Sequence, residues 1–322
     1  MKVGVLQFFS WPGRHGPLEE VYDRALERIE IMDKTGFDAV WLAEHHFTTF
    51  SVCPSVHMLG VMAAARTKRL RIGTAVSLAA LYHPLRLAEE VALLDMLSGG
   101  RVNWGAGRGF AHSEFNAFGV PPEQSAERFR EAVEIVLQAW TQERFTYQGA
   151  HFKFDDIEVL PKPLQRPHPP TWMAATSPPA IEWAASRGFS ILMDPHASVK
   201  ELGAKRRHYS AKLAAAGFSD QGRDIPMARL VALAPTTAKA EEIRASGITP
   251  LDYMIKVMRA DDADPHRRDD MAKAAAPYIH PKLSAIEHTG ADGGPIEIDT
   301  DPNDTARRVA FLLAQAARAP KE

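Results

Sequence analysis

Cysteine is nearly absent from this chain. Cys53 is the single one in 322 residues, which excludes an internal disulfide and a thiolate metal cluster. No helix or base context marks it as activated, so it reads as a small apolar filler and not as a nucleophile. An excess of one charge is lacking too. Lys and Arg number 38 against 40 Asp and Glu, a formal net charge of -2, so nucleic acid is not an expected partner. No apolar run is long enough to span a bilayer, and the N-terminal MKVGVLQFF has one Lys with no cleavage pattern behind it. A soluble, cytoplasmic protein is expected. No repeat of solenoid period occurs, and no Gly-rich dinucleotide fingerprint follows the first apolar segment.

What the chain does contain is an alternation of strand and helix signals. At 45% hydrophobic it can bury a large core, and its length suits one barrel as well as two domains. Strands are predicted over 2–9, 39–43, 69–77, 101–105, 171–175, 188–193 and 225–234. Helices are predicted over 18–35, 56–65, 126–142, 181–186 and 198–216, with another opened by His83-Pro84 and running to Ser98. Val21, Ala25, Ile29 and Met32 give the first helix its stripe, and Ser198 with Glu201 fits a capping box for the last. Residues 145–170 form a longer excursion ending in the Pro-rich PKPLQRPHPP.

Seven strands each followed by a helix argue for an α/β fold, a (β/α)8 TIM barrel forming one domain over 1–322. A doubly wound sheet is the other reading. The end of the chain is less regular. Residues 248–258 and 304–317 look helical, whereas 259–294 lack a strong apolar period and read as a lid or mobile loop. The eighth strand is irregular or missing, with PIEID at 295–299 as its candidate.

The chemistry is expected at the C-terminal ends of these strands. The second strand ends in GFDAVWLAEHHF, an apolar run closing on Glu44, His45 and His46. Two adjacent imidazoles there are either hydrogen-bonded structural groups or a titrating pair at a site. Alternation along a strand prevents Glu44, His45 and His46 from all ligating one ion, and no metal site is expected. The first strand delivers Phe8, Phe9 and Trp11, an apolar and aromatic wall suited to a flat organic cofactor. The fourth ends in GAGRG, where glycines let backbone approach a ligand and Arg108 offers a cationic fork for phosphate. A tight turn with Arg108 paired to a carboxylate explains the same segment. Thr176 and Ser177 open a helix whose N-terminus suits an anion, although Pro178 and Pro179 remove two N–H donors. An ordinary N-cap explains that pair equally.

Three separated segments then agree with one family. GFDAVWLAEHHF, RIGTAVSLAALYHPLRLAEEVALLDMLSGGRVNWGAGRG and the AATS…IEWAASRG helix resemble the bacterial luciferase-like flavin-dependent monooxygenases over about residues 1–235. The resemblance implies a barrel using reduced FMN as a cosubstrate, commonly supplied by a separate flavin reductase, and O2 to oxygenate a small organic substrate. Relatives commonly pair as homodimers. Carried onto this sequence, it makes His45 the catalytic imidazole and Ala75-Val76 the backbone step under the flavin ring, often a cis peptide in relatives. Gly107, Arg108, Thr176 and Ser177 fall on cofactor-binding positions, and Phe9, Trp11 and His46 are expected to line the substrate. Two departures stand out. The luciferases carry a reactive cysteine where this chain has Gly107 and a Glu where it has Thr176, so light emission is not implied. A deazaflavin-dependent oxidoreductase of the same superfamily and a non-catalytic flavin-binding protein are the alternatives.

Overall fold

Strand and helix alternate from the first residues. In the computed structural model, which describes residues 2–193, 197–221 and 223–228, β1 (Gly4–Gln7) leads to α1 (Leu18–Thr35) and β2 (Ala39–Leu42) to α2 (Val56–Arg66). Next come β3 (Arg71–Thr74), β4 (Ser77–Leu78) and α3 (Pro84–Leu97), then β5 (Val102–Gly107), α4 (His112–Ala117) and α5 (Ser125–Thr141). The hairpin β6 (Phe145–Gln148) and β7 (Lys153–Ile157) follows, and β8 (Thr171–Ala174), α6 (Pro178–Ser186), β9 (Ser190–Leu192) and α7 (Val199–Ala215) end the described part. All described residues belong to one unit, Met1–Leu230.

The sheet runs β1-β2-β3-β5-β8-β9, with β4 also on β5, and every pairing in it is parallel. Parallel neighbours require crossovers, and the helices supply them, giving an α/β, TIM-like arrangement. Because helices cover the sheet, its central strands are largely buried. All six residues of β5 are buried. Trp41 of β2 and Trp172 of β8 meet edge to face at 5.4 Å.

Local signals explain the helix bounds. α1 has Glu19 and Glu20 in its first turn and Lys34 in its last, which suits the helix dipole, and Gly36 ends it in the left-handed region at φ 93°. Its buried face is Ala25, Leu26, Ile29 and Met32. α3 starts on Pro84, and α7 on the Ser198–Glu201 capping box. The Arg101 guanidinium, placed just before β5, closes the far end of α2 by donating to the carbonyls of Ala64 and Thr67. Asp33 at the end of α1 accepts the N–H groups of Lys68, Arg69 and Leu70, which fixes the entry to β3.

Several expectations need correction. The predicted third strand is two pieces, because the chain turns at Ala75 and Val76 between β3 and β4. β5 reaches two residues further than expected, to Gly107, so the first half of GAGRG is strand and not turn. α4 was not expected at all. The 145–170 excursion contains an antiparallel hairpin, anchored where the buried Glu131 carboxylate accepts the N–H groups of Ala150, His151 and Phe152. Residues 225–228 of the predicted seventh strand are not in a strand. Residues 229–234, the helices expected at 248–258 and 304–317, the lid expected at 259–294 and the strand expected at 295–299 lie outside the described residues. No described helix is long and apolar enough to cross a membrane.

Candidate active site

Beyond β2 the chain stays extended, and His45 donates its N–H to the Cys53 carbonyl at 3.1 Å. Alternation therefore sends Glu44 and His46 one way and His45 the other. Glu44 is fully buried, and its Oε1 lies 3.0 Å from His46 Nε2. Its Oε2 accepts the Leu78 N–H at 3.3 Å, and the Tyr82 hydroxyl also bonds this carboxylate. Burial, then the Glu44 charge, push the Tyr82 phenol well above its ordinary value. The same two causes push the Cys53 thiol far up, so it is held protonated and inert.

His45 has a different environment. Its ring stacks on Phe8 at 6.5 Å and meets the edges of Phe50 at 5.2 Å and Phe110 at 5.9 Å. The polar group against it is Glu114 of α4, whose Oε1 lies 3.5 Å from His45 Nδ1 and accepts the His46 N–H at 2.9 Å. The side chains of His45 and Glu114 are 14% and 4% exposed, so this is a desolvated pair and not a surface contact. Such a pair can hold a proton at a defined atom beside an apolar slot.

The neighbouring strands supply a cradle. The Ala75–Val76 peptide is cis, and Ala75 donates its N–H to the Leu42 carbonyl at 2.7 Å. Val76 presses on β5 so closely that a Cβ at Gly107 would lie 2.5 Å from Val76 Cγ2 and 3.4 Å from Ala174 Cβ. Below this, Ser77 Oγ lies 3.0 Å from His57 Nε2, and His57 Nδ1 lies 3.1 Å from Glu90 Oε2. The order Ser, His, acid resembles a nucleophile triad, yet Ser77 is fully buried and no substrate can reach it. The three form a strut that holds β4. The His57 contact, and next the Arg86 guanidinium, keep the Glu90 carboxyl below its ordinary range.

β5 and β8 are paired, Ala106 opposite Met173, so Arg108 and Thr176 leave the sheet on adjacent strands. Arg108 is exposed, with its Nη1 3.4 Å from Ser125 Oγ at the start of α5. It has a hydroxyl neighbour there and not a carboxylate, which leaves its charge available to an anion. Thr176 and Ser177 are also exposed. Ser177 occupies the N-cap of α6, and its hydroxyl makes no cap hydrogen bond. A guanidinium, two exposed hydroxyls and the glycine cradle beside the Val76 side chain suit a phosphorylated, flat ligand.

The luciferase-like monooxygenase family model matches residues 1–306. The chain belongs to this family. Protein y4wF of Sinorhizobium fredii is 42% identical over 170 residues, 53% of this chain and 50% of that one. The oxygenase component of a flavin-dependent trigonelline monooxygenase from Acinetobacter baylyi is 30% identical over 196 residues, 60% of this chain and 54% of its own length. The chain thus spans about half the length of the curated relatives it matches. Among solved structures, the monooxygenase RslO1 from Streptomyces bottropensis superposes with a TM-score of 0.72 at 26% identity, covering 99% of this chain and 100% of that one.

For this luciferase-like chain, the structure brings His45, Ala75, Val76, Gly107, Arg108, Thr176 and Ser177 to the C-terminal ends of β2, β3, β5 and β8. Phe9 is a correction. It is fully buried with its ring 6.0 Å from Tyr22 of α1, and strand alternation puts Phe8 beside His45 instead. Trp11 sits on the loop after β1, where its indole N–H donates to the Gly16 carbonyl. His46 turns to Glu44 and packs edge-on against Phe118 at 4.8 Å. His83, at the start of α3, packs on Phe152 and Phe154.

Sequence reasoning missed Glu114, Phe50, Phe110 and the Glu44 anchor. Glu114 and Phe110 lie on or beside a helix of six residues, too short to show a period. The one available signal was an acid flanked by phenylalanines in the FAHSEF stretch.

Proposed function

We propose that this protein is a flavin-dependent monooxygenase that uses reduced FMN and O2 to oxygenate a small organic substrate within a (β/α)8 barrel. The observation that carries the reading is the exposed Arg108 guanidinium, with a hydroxyl neighbour, at the end of a strand paired with the one that leads to the exposed Thr176 and Ser177, beside the Gly107–Val76 cradle. Arg108, Thr176 and Ser177 would hold the phosphate, and Ala75, Val76 and Gly107 the ring. Reduced FMN, when bound, supplies the electrons that activate O2. Phe8, Phe50 and Phe110 exclude water around His45. His45, next to Glu114, holds or moves a proton toward the open side of its ring. A separate flavin reductase is supported by a relative described as an oxygenase component.

Oxygen uptake with reduced FMN and with reduced deazaflavin tests this directly. Uptake and oxygenated product with FMN are expected; hydride transfer from the deazaflavin without uptake would transfer the protein to the other cofactor. Arg108→Met should weaken FMN binding by about tenfold, since a charge-assisted contact of this kind contributes roughly 1.5 kcal/mol. FMN affinity equal to that of the unmodified protein would remove Arg108 from the site.

The active form is proposed to be a homodimer. Met58 and Met62 on α2 and Leu93, Met96 and Leu97 on α3 are large apolar side chains exposed on two helices that pack together, which supports a partner there. Light scattering should report twice the protomer mass, and Leu97→Glu should halve it; a unit mass in the unmodified protein would exclude pairing.

A further inference from the structure

A single carboxylate touches both members of the imidazole pair. Glu114 Oε1 accepts the backbone N–H of His46 at 2.9 Å and lies 3.5 Å from Nδ1 of His45. An oxygen already accepting one N–H is oriented as an acceptor, so the group it faces at Nδ1 is best served by a second N–H. The Glu114 side chain is 4% exposed, and a carboxylate so far from water gains strongly from every donor it can take. Among the described residues, the rings packed against His45 are Phe8, Phe50 and Phe110, which offer no hydrogen bond to either nitrogen. His46 cannot substitute, because its own Nε2 is taken by Glu44 Oε1 at 3.0 Å.

We propose that Glu114 is a positioning residue: it binds Nδ1–H of His45, fixes that tautomer, and so presents the Nε2 lone pair to the apolar slot. This rests on the reading of that slot as the reaction site, and it assigns which nitrogen exchanges a proton there. It also explains why α4 starts so soon after β5. The helix brings an acid from the end of one strand across to the imidazole at the end of another, while its backbone contact with His46 locks the pair's register.

Nitrogen-15 NMR of the full chain, labelled in histidine and free of flavin, tests the assignment. His45→Gln identifies the His45 signals by their disappearance. In the unmodified protein, His45 is expected as the Nδ1–H tautomer, with Nε2 in the pyridine-like range. Glu114→Leu, close in volume, should move the population toward Nε2–H. Glu114→Asp keeps a buried acid but draws it one methylene back, and should give a mixture, so a result follows even where the leucine variant does not fold. An Nε2–H tautomer in the unmodified protein overturns the proposal, and so does an Nδ1–H population that stays as high in either Glu114 variant as in the unmodified protein. A purely structural role for Glu114 would lower the melting temperature and leave the tautomer unchanged. Since no flavin is present, a failure of FMN to bind would sink the monooxygenase reading and leave this result intact.

Discussion

His45→Ala is expected to bind reduced FMN within about threefold of the unmodified protein, yet to lose roughly 100-fold in oxygenated product formed per flavin consumed. The two halves of this expectation come from different parts of the site. His45 stands at the end of β2 among Phe8, Phe50 and Phe110, whereas the anion groups stand at the ends of β5 and β8. Removing the imidazole therefore deletes no phosphate contact. It deletes the group that can hold a proton at a fixed nitrogen in a slot with little water, and a factor of 100 corresponds to about 2.7 kcal/mol of that control. Folding should survive, because Glu114 keeps its bond to the His46 N–H and Glu44 keeps both the Leu78 N–H and His46. The measurement is product and hydrogen peroxide quantified against reduced FMN consumed. Product yield unchanged, with peroxide no higher, would take His45 out of the chemistry.

The parts of this molecule that could be read in advance are those with a repeating physical signal. The α1 stripe, the proline opening α3 and the capping box of α7 each rest on residues a few positions apart, and each bound follows from them. The imidazole pair and the GAGRG segment were visible because an apolar run ends abruptly in polar groups or in glycines. The remainder depends on contacts between distant segments. Glu114 meets His45 and His46 across nearly seventy residues, and Phe50 and Phe8 meet across more than forty. The choice between Phe8 and Phe9 needed the register of β1, and a shift of one residue reverses which face a side chain takes. Arg108 was ambiguous in the sequence between a carboxylate and a ligand, and its neighbour, the Ser125 hydroxyl, is visible only in the structure.

Gly105→Ala is expected to be among the most destabilising single changes in the chain, by about 3 kcal/mol or more, and soluble yield should fall with it. A Cβ there would run into the carbonyl oxygen of Thr74, well inside van der Waals contact, and into Leu192 Cδ1 at 2.9 Å. The obstacle is backbone, and it is not free to move. Thr74 is fully buried, its hydroxyl donates to the Gly105 carbonyl at 2.7 Å and accepts the Gly105 N–H at 2.9 Å, and it leads directly into Ala75 and Val76. Pushing β3 away from β5 would break both of those bonds and displace the cradle together with the strand. Gly107→Ala makes the contrasting case. The nearest atom to its added methyl is a side-chain carbon, Val76 Cγ2, so trimming the obstacle with Val76→Ala should recover most of the loss. A cysteine at 107, the residue that the luciferases carry there, would meet the same valine and should respond to the same rescue. Urea denaturation of the three single variants and the double variant checks the scheme. A Gly105→Ala protein within about 1 kcal/mol of the parent would mean that β3 and β5 are not clamped as described, while failure of Val76→Ala to restore Gly107→Ala would place the conflict in the backbone there too.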